Sequence, residues 1–138
     1  MKSDRGSVTI WMLGLSVLLL LFGGLAIDFW RALALQRELA AVADSAAVAA
    51  ASGIDEGHYR LTGEVVLEPV RARALADASI GGQGVDPTAV DVQVGTDLLA
   101  VTVTVVDDLE LGLLGVFVDQ SEPLLVRAEA TAEPRFIP

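Results

Sequence analysis

The chain has 138 residues, no Cys, and 19 acidic side chains against nine Lys and Arg, for a formal net charge of −10. An acidic chain repels phosphate backbones, which excludes nucleic acid as a partner. The absence of Cys excludes disulfides, thiol catalysis and Cys-based metal sites.

Residues 1–6 form a short polar stub carrying Lys2 and Arg5 against Asp4. Ser7 to Ile27 then runs for twenty-one residues without a charge. At ~1.5 Å per residue that is about 31 Å, the thickness of a hydrocarbon core. In lipid the backbone must satisfy its own hydrogen bonds, so the run predicts a transmembrane helix over 7–27. The apolar core of a cleaved secretory signal is shorter, about 7–15 residues. Here Ile27-Asp28-Phe29-Trp30 also carries the helix onward without a break, which favours a retained anchor. Basic flanks stay in the cytoplasm, and residues 28–138 carry seven Arg against eighteen Asp and Glu. The reading is therefore a single-pass chain with its N-terminus cytoplasmic and residues 28–138 as an extracytoplasmic domain. Trp11 and Trp30 sit where interfacial anchors belong, and Gly14, Ser16, Gly23 and Gly24 leave small surfaces on the span. Asp28 reads as an ordinary residue of the membrane boundary.

Residues 28–52 contain no Pro or Gly and are dominated by Ala, the best helix former. They extend the same helix to about Ser52, with Gly53 as a C-terminal stop. Arg31, Glu38, Ser45 and Ser52 recur every seven residues on one face. Ala32, Leu39, Ala43, Ala46 and Ala50 line the opposite side at helical spacing. Two uses fit that methyl-rich stripe: packing on the chain's own sheet, or an assembly face for a neighbouring helix. Residues 53–68 read as a connector with a short strand at 64–67. Pro69 opens a second helix, where its missing N–H costs nothing. Val70, Ala74, Leu75 and Ala78 give that helix an apolar side, and the glycines of 81–84 break it.

The remainder alternates with the period of half-buried strands. Val90, Val92 and Val94 form one strand, Gly95-Thr96-Asp97 a hairpin turn, and Leu99, Val101, Val103 and Val105 the next. Asp107-Asp108 ends that strand and caps a short helical turn over 109–116. The last strand covers 124–133, with Leu124, Val126, Ala128, Ala130 and Ala132 facing one way. Its small residues suit close approach by the Ala face of the long helix. The fold class is α+β: a long N-terminal transmembrane helix extending into a small extracytoplasmic domain. That domain holds one further helix and a three- to four-stranded antiparallel sheet, a pilin-like layout.

Residues for catalysis are lacking. His58 is the only His, set beside Tyr59 and Arg60 in a polar connector, and reads as a solvated loop residue. The acidic groups Asp107, Asp108 and Glu110, or Asp86, Asp91 and Asp97, lack the spacing of a Ca²⁺ loop and read as turn residues. Gly81-Gly82-Gln83-Gly84 lacks the spacing of a dinucleotide loop and follows a helix rather than a strand. No catalytic, cofactor-binding or metal residues are expected. Leu109, Leu111, Leu113, Leu114, Val116 and Phe117 make an unusually apolar stretch for a loop. Such a stretch is either core or a contact for a partner or the membrane surface.

Arg5-Gly6, the apolar span, Asp28 at its end, Gln36-Arg37, Ala43-Asp44 and Ala46-Ala47 together resemble the TadE/TadG-like family of Flp (Tad) pilus-assembly proteins. The resemblance covers the N-terminal fifty-odd residues, and the strand ending in VRAEATAEPR is similar to the closing strand of such proteins. It implies a bacterial envelope protein serving a type IVc pilus or related secretion machine. The implied partners are membrane lipid and other pilins or pilus-assembly proteins, with no small-molecule substrate. It marks Gly6-Ser7 as the bond a prepilin peptidase would cut. The fifth position after Gly6 is Trp11, where such prepilins carry Glu, and this departure favours the TadG-like branch that keeps its anchor. The reading from another class is a membrane-tethered binding module, an adhesin or an envelope ligand sensor.

Overall fold

A computed structural model of the chain describes residues 5–112, 115 and 123–135. Its backbone is a single helix α1 (Arg5–Ala51) of 47 residues, followed by α2 (Glu56–Thr62) and α3 (Pro69–Gly82). Three strands follow: β1 (Ala89–Val94), β2 (Val101–Leu109) and β3 (Leu124–Ala132). They form one antiparallel sheet in the order β1-β2-β3. The class is α+β, with one helix among the described residues long and apolar enough to cross a membrane. At ~1.5 Å per residue α1 is about 70 Å long. Its most apolar stretch is only 6% buried.

The C-terminal half of α1 supplies the core. Leu39, Ala43, Ala46 and Ala50 are all 0% exposed, and Val42 and Ala47 nearly so. They pack on one face of the sheet, against Val101, Val103 and Val105 of β2 and Ala128 and Ala130 of β3. Methyl-sized side chains on α1 and β3 bring the helix axis close to the strands, and the branched valines of β2 fill the centre. The opposite face of the sheet is polar. Register partners Thr102 and Thr131 share a 2.9 Å hydroxyl hydrogen bond, and Arg127 donates to Thr104 Oγ1 at 3.4 Å. One apolar face against helices and one hydrated face is the usual economy of an antiparallel sheet.

α3 lies along α1 through a different face from the one its sequence suggests. Ala72, Ala76 and Ile80 are buried and Leu75 is half-buried, whereas Val70 is 78% exposed and Ala74 and Ala78 face solvent. Both faces carry methyl groups, so hydropathy alone did not separate them. The deciding contact is with Gly53. A Cβ there would sit 2.8 Å from the Ala72 backbone nitrogen and 2.9 Å from its Cα. Gly53 thus closes the helix pair by backbone approach rather than by a left-handed cap; its φ is not positive. Gln83 ties the far end of α3 to α1, donating to Ser45 Oγ at 2.8 Å.

Other departures are local. The connector contains α2, opened by the Asp55 carboxylate accepting the His58 N–H at 2.9 Å. The strand expected at 64–67 is only a bridge between Leu67 and Ile54. Leu99 lies outside β2, in a turn whose neighbour Leu98 has φ 59. That left-handed residue is held because its carbonyl accepts from Leu67 N–H at 2.9 Å while its N–H bonds Gly95. Asp107 and Asp108 do not end the strand. They continue β2, paired with Val126 and Leu125, and Thr88 donates to Asp107 Oδ1 at 3.0 Å. Leu109 is the last residue of β2 and residues 110–112 are not helical, so the helical turn expected over 109–116 does not begin there; its positions 113, 114 and 116 lie outside the described residues.

Candidate functional site

Two surfaces of α1 carry the features that bear on function: the exposed apolar segment 7–27, and the boundary at which the folded domain takes hold of the helix. In the first, fourteen large hydrophobic side chains between Val8 and Ile27 are 40–78% exposed. Completing the burial of each is worth about 1 kcal/mol or more, on the order of 15 kcal/mol together. That rivals the entire stability of a typical domain, about 5–15 kcal/mol. The segment therefore needs an apolar environment that the other described residues do not supply. Within it the Ser16 hydroxyl is satisfied locally, donating to the Met12 carbonyl at 2.8 Å. An added Cβ at Gly14 or Gly23 would meet nothing within 4 Å, so both glycines face outward.

The second surface begins at Asp28, which is 3% exposed within a largely exposed stretch of helix. Its Oδ1 accepts the Gly112 N–H at 2.8 Å, across 84 residues of sequence. Gly112 fits there because it has no side chain. A Cβ would lie 2.8 Å from Asp28 Oδ1 and 2.6 Å from Arg31 Nη1. A buried carboxylate requires donors, and a backbone N–H aimed at it is a charge-assisted bond stronger than a neutral one. Asp28 is thus not a plain boundary residue. It clasps the chain leaving β2 onto the helix, next to the exposed Phe29 and Trp30.

Chain geometry sets where the clasp lies. Val101 pairs with Ala132, which together with Ala51 lines an open groove at the C-terminal end of α1. From Val101 to Gly112 an extended chain covers about 36 Å at ~3.3 Å per residue. From Ala51 back to Asp28 the helix covers about 34 Å at ~1.5 Å per residue. β2 therefore runs the length of the outer half of α1, antiparallel to it, and reaches the helix again where the apolar segment ends.

The residues singled out from the sequence fall into three groups. Leu39, Ala43, Ala46, Ala47 and Ala50 are in the core, and Ala32 is half-buried. Gln36, Arg37 and Asp44 are exposed, and Gly6 and Ser7 lie in the first turns of α1. Asp28 is buried and accepts from Gly112, a partner the sequence did not reveal because nothing in residues 109–112 marks a carboxylate-binding N–H. His58 is half-buried on α2 rather than in a solvated loop, its Nε2 3.5 Å from Glu64 Oε2. Among the described residues no group of three or more His, Cys, Asp and Glu has the arrangement of a metal site.

No curated protein and no solved structure matches this chain. A protein-family comparison does. Residues 6–53, the segment that holds the apolar run, Asp28 and the buried Ala stripe, match the Tad family, described as "Putative Flp pilus-assembly TadE/G-like".

Proposed function

We propose that the chain is a non-catalytic, pilin-like or accessory subunit of a bacterial Tad-type pilus or secretion system, anchored in the cytoplasmic membrane by residues 7–27. The N-terminal stub lies in the cytoplasm and residues 28–138 lie outside. One observation carries the reading: a single unbroken helix is bare and apolar over its first half and is the core of an α+β domain over its second half. The match of residues 6–53 to a pilus-assembly family supports the assembly role, and the basic stub before the span supports the orientation.

Because the chain's own sheet and α3 cover most of the Ala stripe, we take the apolar span with its outward-facing Gly14 and Gly23 as the surface for other subunits. Small residues let membrane helices approach closely. The test is a span exchange. The full chain, and a version with 7–27 replaced by an unrelated apolar helix of equal length, are purified from native membranes and their bound proteins identified by mass spectrometry. Identified pilus-assembly proteins should accompany the native chain and be lost on exchange. Retention of the same proteins after exchange would place recognition in the outer domain and favour a tethered binding module.

A further inference from the structure

We propose that the end of the sheet nearest the span, built from Leu109, Leu111, Leu124 and Leu125, rests on the lipid surface beside Phe29 and Trp30. This second membrane contact would fix the tilt of the outer domain. The inference rests on the membrane reading above.

Three observations converge on it. The Asp28–Gly112 hydrogen bond holds the chain after β2 at the level of Asp28, so Leu111 and Gly112 share the height of the helix segment that ends the apolar run. Exposed apolar surface on α1 does not stop at Ile27. Phe29 is 64% and Trp30 68% exposed, so the lipid-facing helix reaches at least the turn that carries the clasp. At the same end of the sheet, register partners Leu109 and Leu124 and the neighbouring Leu125 break the polar character of the rest. Leu124 and Leu125 are 52% and 61% exposed, while the far end shows Ser52, Thr131, Glu133 and Arg135 to solvent beside Val48 and Leu99. Leu124 and Leu125 thus add exposed apolar surface at the end of the sheet where the helix leaves the span, whereas Val48, Leu61 and Val70 are single exposed residues on the helices.

Charge sets the depth. Asp108 and Glu110 alternate with Leu109 and Leu111 and are exposed at this end. Carboxylates do not enter hydrocarbon, so the leucines insert among headgroups and stop there. Burying Asp28 in its bond to Gly112 removes the carboxylate that would otherwise sit on the helix inside this zone. The clasp therefore both places the leucines and lets the apolar surface of α1 run on to Trp30.

The chain has no Cys, so single labels are introduced without other changes. Leu125→Cys, Val17→Cys and Gln93→Cys are each spin-labelled in the full chain. Each variant is reconstituted at low density into phosphatidylcholine–phosphatidylglycerol bilayers, and collisions with oxygen and with a water-soluble nickel chelate are measured. Val17 reports the span, Gln93 the exposed surface of β1, and Leu125 the proposed contact. With interfacial burial of about 5–10 Å, the Leu125 label should collide with the nickel chelate at least about threefold less often than Gln93 and with oxygen more often. A Leu125 label as open to nickel as Gln93, with Val17 in lipid, overturns this contact and leaves the anchor standing. A Leu125 label shielded from both agents, or dipolar-broadened, also overturns it in favour of coverage by protein. A Val17 label open to nickel overturns the anchor itself.

Discussion

Gly112→Ala should loosen the outer domain from the long helix. The added Cβ would sit 2.8 Å from Asp28 Oδ1 and 2.6 Å from Arg31 Nη1. The guanidinium is the end of a flexible side chain and can swing away. The carboxylate cannot, because it is 3% exposed and its position is set by the rigid turn of α1 that carries it. The chain after β2 must then retreat, lengthening the 2.8 Å bond from Gly112 N–H. A hydrogen bond to a charged group contributes about 1.5–3 kcal/mol, and leaving a buried acceptor short of a donor costs about as much, so a loss of about 1–3 kcal/mol is expected. For a domain of this size that lowers Tm by roughly 4 °C per kcal/mol. The assay is thermal unfolding of the full chain in lipid nanodiscs, run as a cycle with Asp28→Ala and the double variant. Once the Asp28 carboxylate is gone, the added methyl has room, so the second substitution should add little. A non-additivity of about 1 kcal/mol or more is the signature. A cost for Gly112→Ala below about 0.5 kcal/mol, or costs that simply add, would show that the two residues do not hold each other.

Gly53→Ala should destabilise by about 1–3 kcal/mol in urea unfolding, because the atoms its Cβ would meet are the Ala72 backbone at 2.8 and 2.9 Å, which cannot turn aside. Leu39→Ala, at a fully buried contact between α1 and the sheet, should cost about 2–5 kcal/mol by the same assay. On α3 the two faces should separate cleanly in thermal melts. Val70→Ser, 78% exposed, stays within about ±0.5 kcal/mol, while Ala76→Leu, fully buried, overpacks the contact with α1 and costs about 1–3 kcal/mol. Intact mass of protein from its native membrane should retain residues 1–6, since Trp11 stands where processed prepilins of this kind carry an acid; a chain beginning at Ser7 would show cleavage after Gly6.

The long helix was legible because it needs only composition: an uncharged run of membrane length, then Ala without a breaker. The strands were legible because β-branched residues alternate with polar ones, as they must in a sheet covered by helix on one face only. What escaped had its cause in contacts distant in sequence. Asp28 looked like any acid at a membrane edge, and its donor comes from a glycine 84 residues later. α3 carries apolar residues on two faces, and the one that packs, Ala72, Ala76 and Ile80, is the one whose backbone Gly53 approaches. Asp107 and Asp108 signal a turn in isolation, yet pairing with Val126 and Leu125 keeps them in the strand. α2 is only seven residues long and buries no side chain, so it leaves no apolar period to read and is marked only by the Asp55 cap.

The central claim is that α1 crosses a membrane and presents the domain on its outer side. The direct measurement is labelling of Gln93→Cys in spheroplasts of a bacterial host by a membrane-impermeant maleimide, before and after lysis, with the labelled chain followed into the membrane pellet. The account predicts full labelling before lysis and recovery of the chain in the pellet after alkaline washing. Labelling that appears only after lysis, or a chain released by the wash, would contradict it.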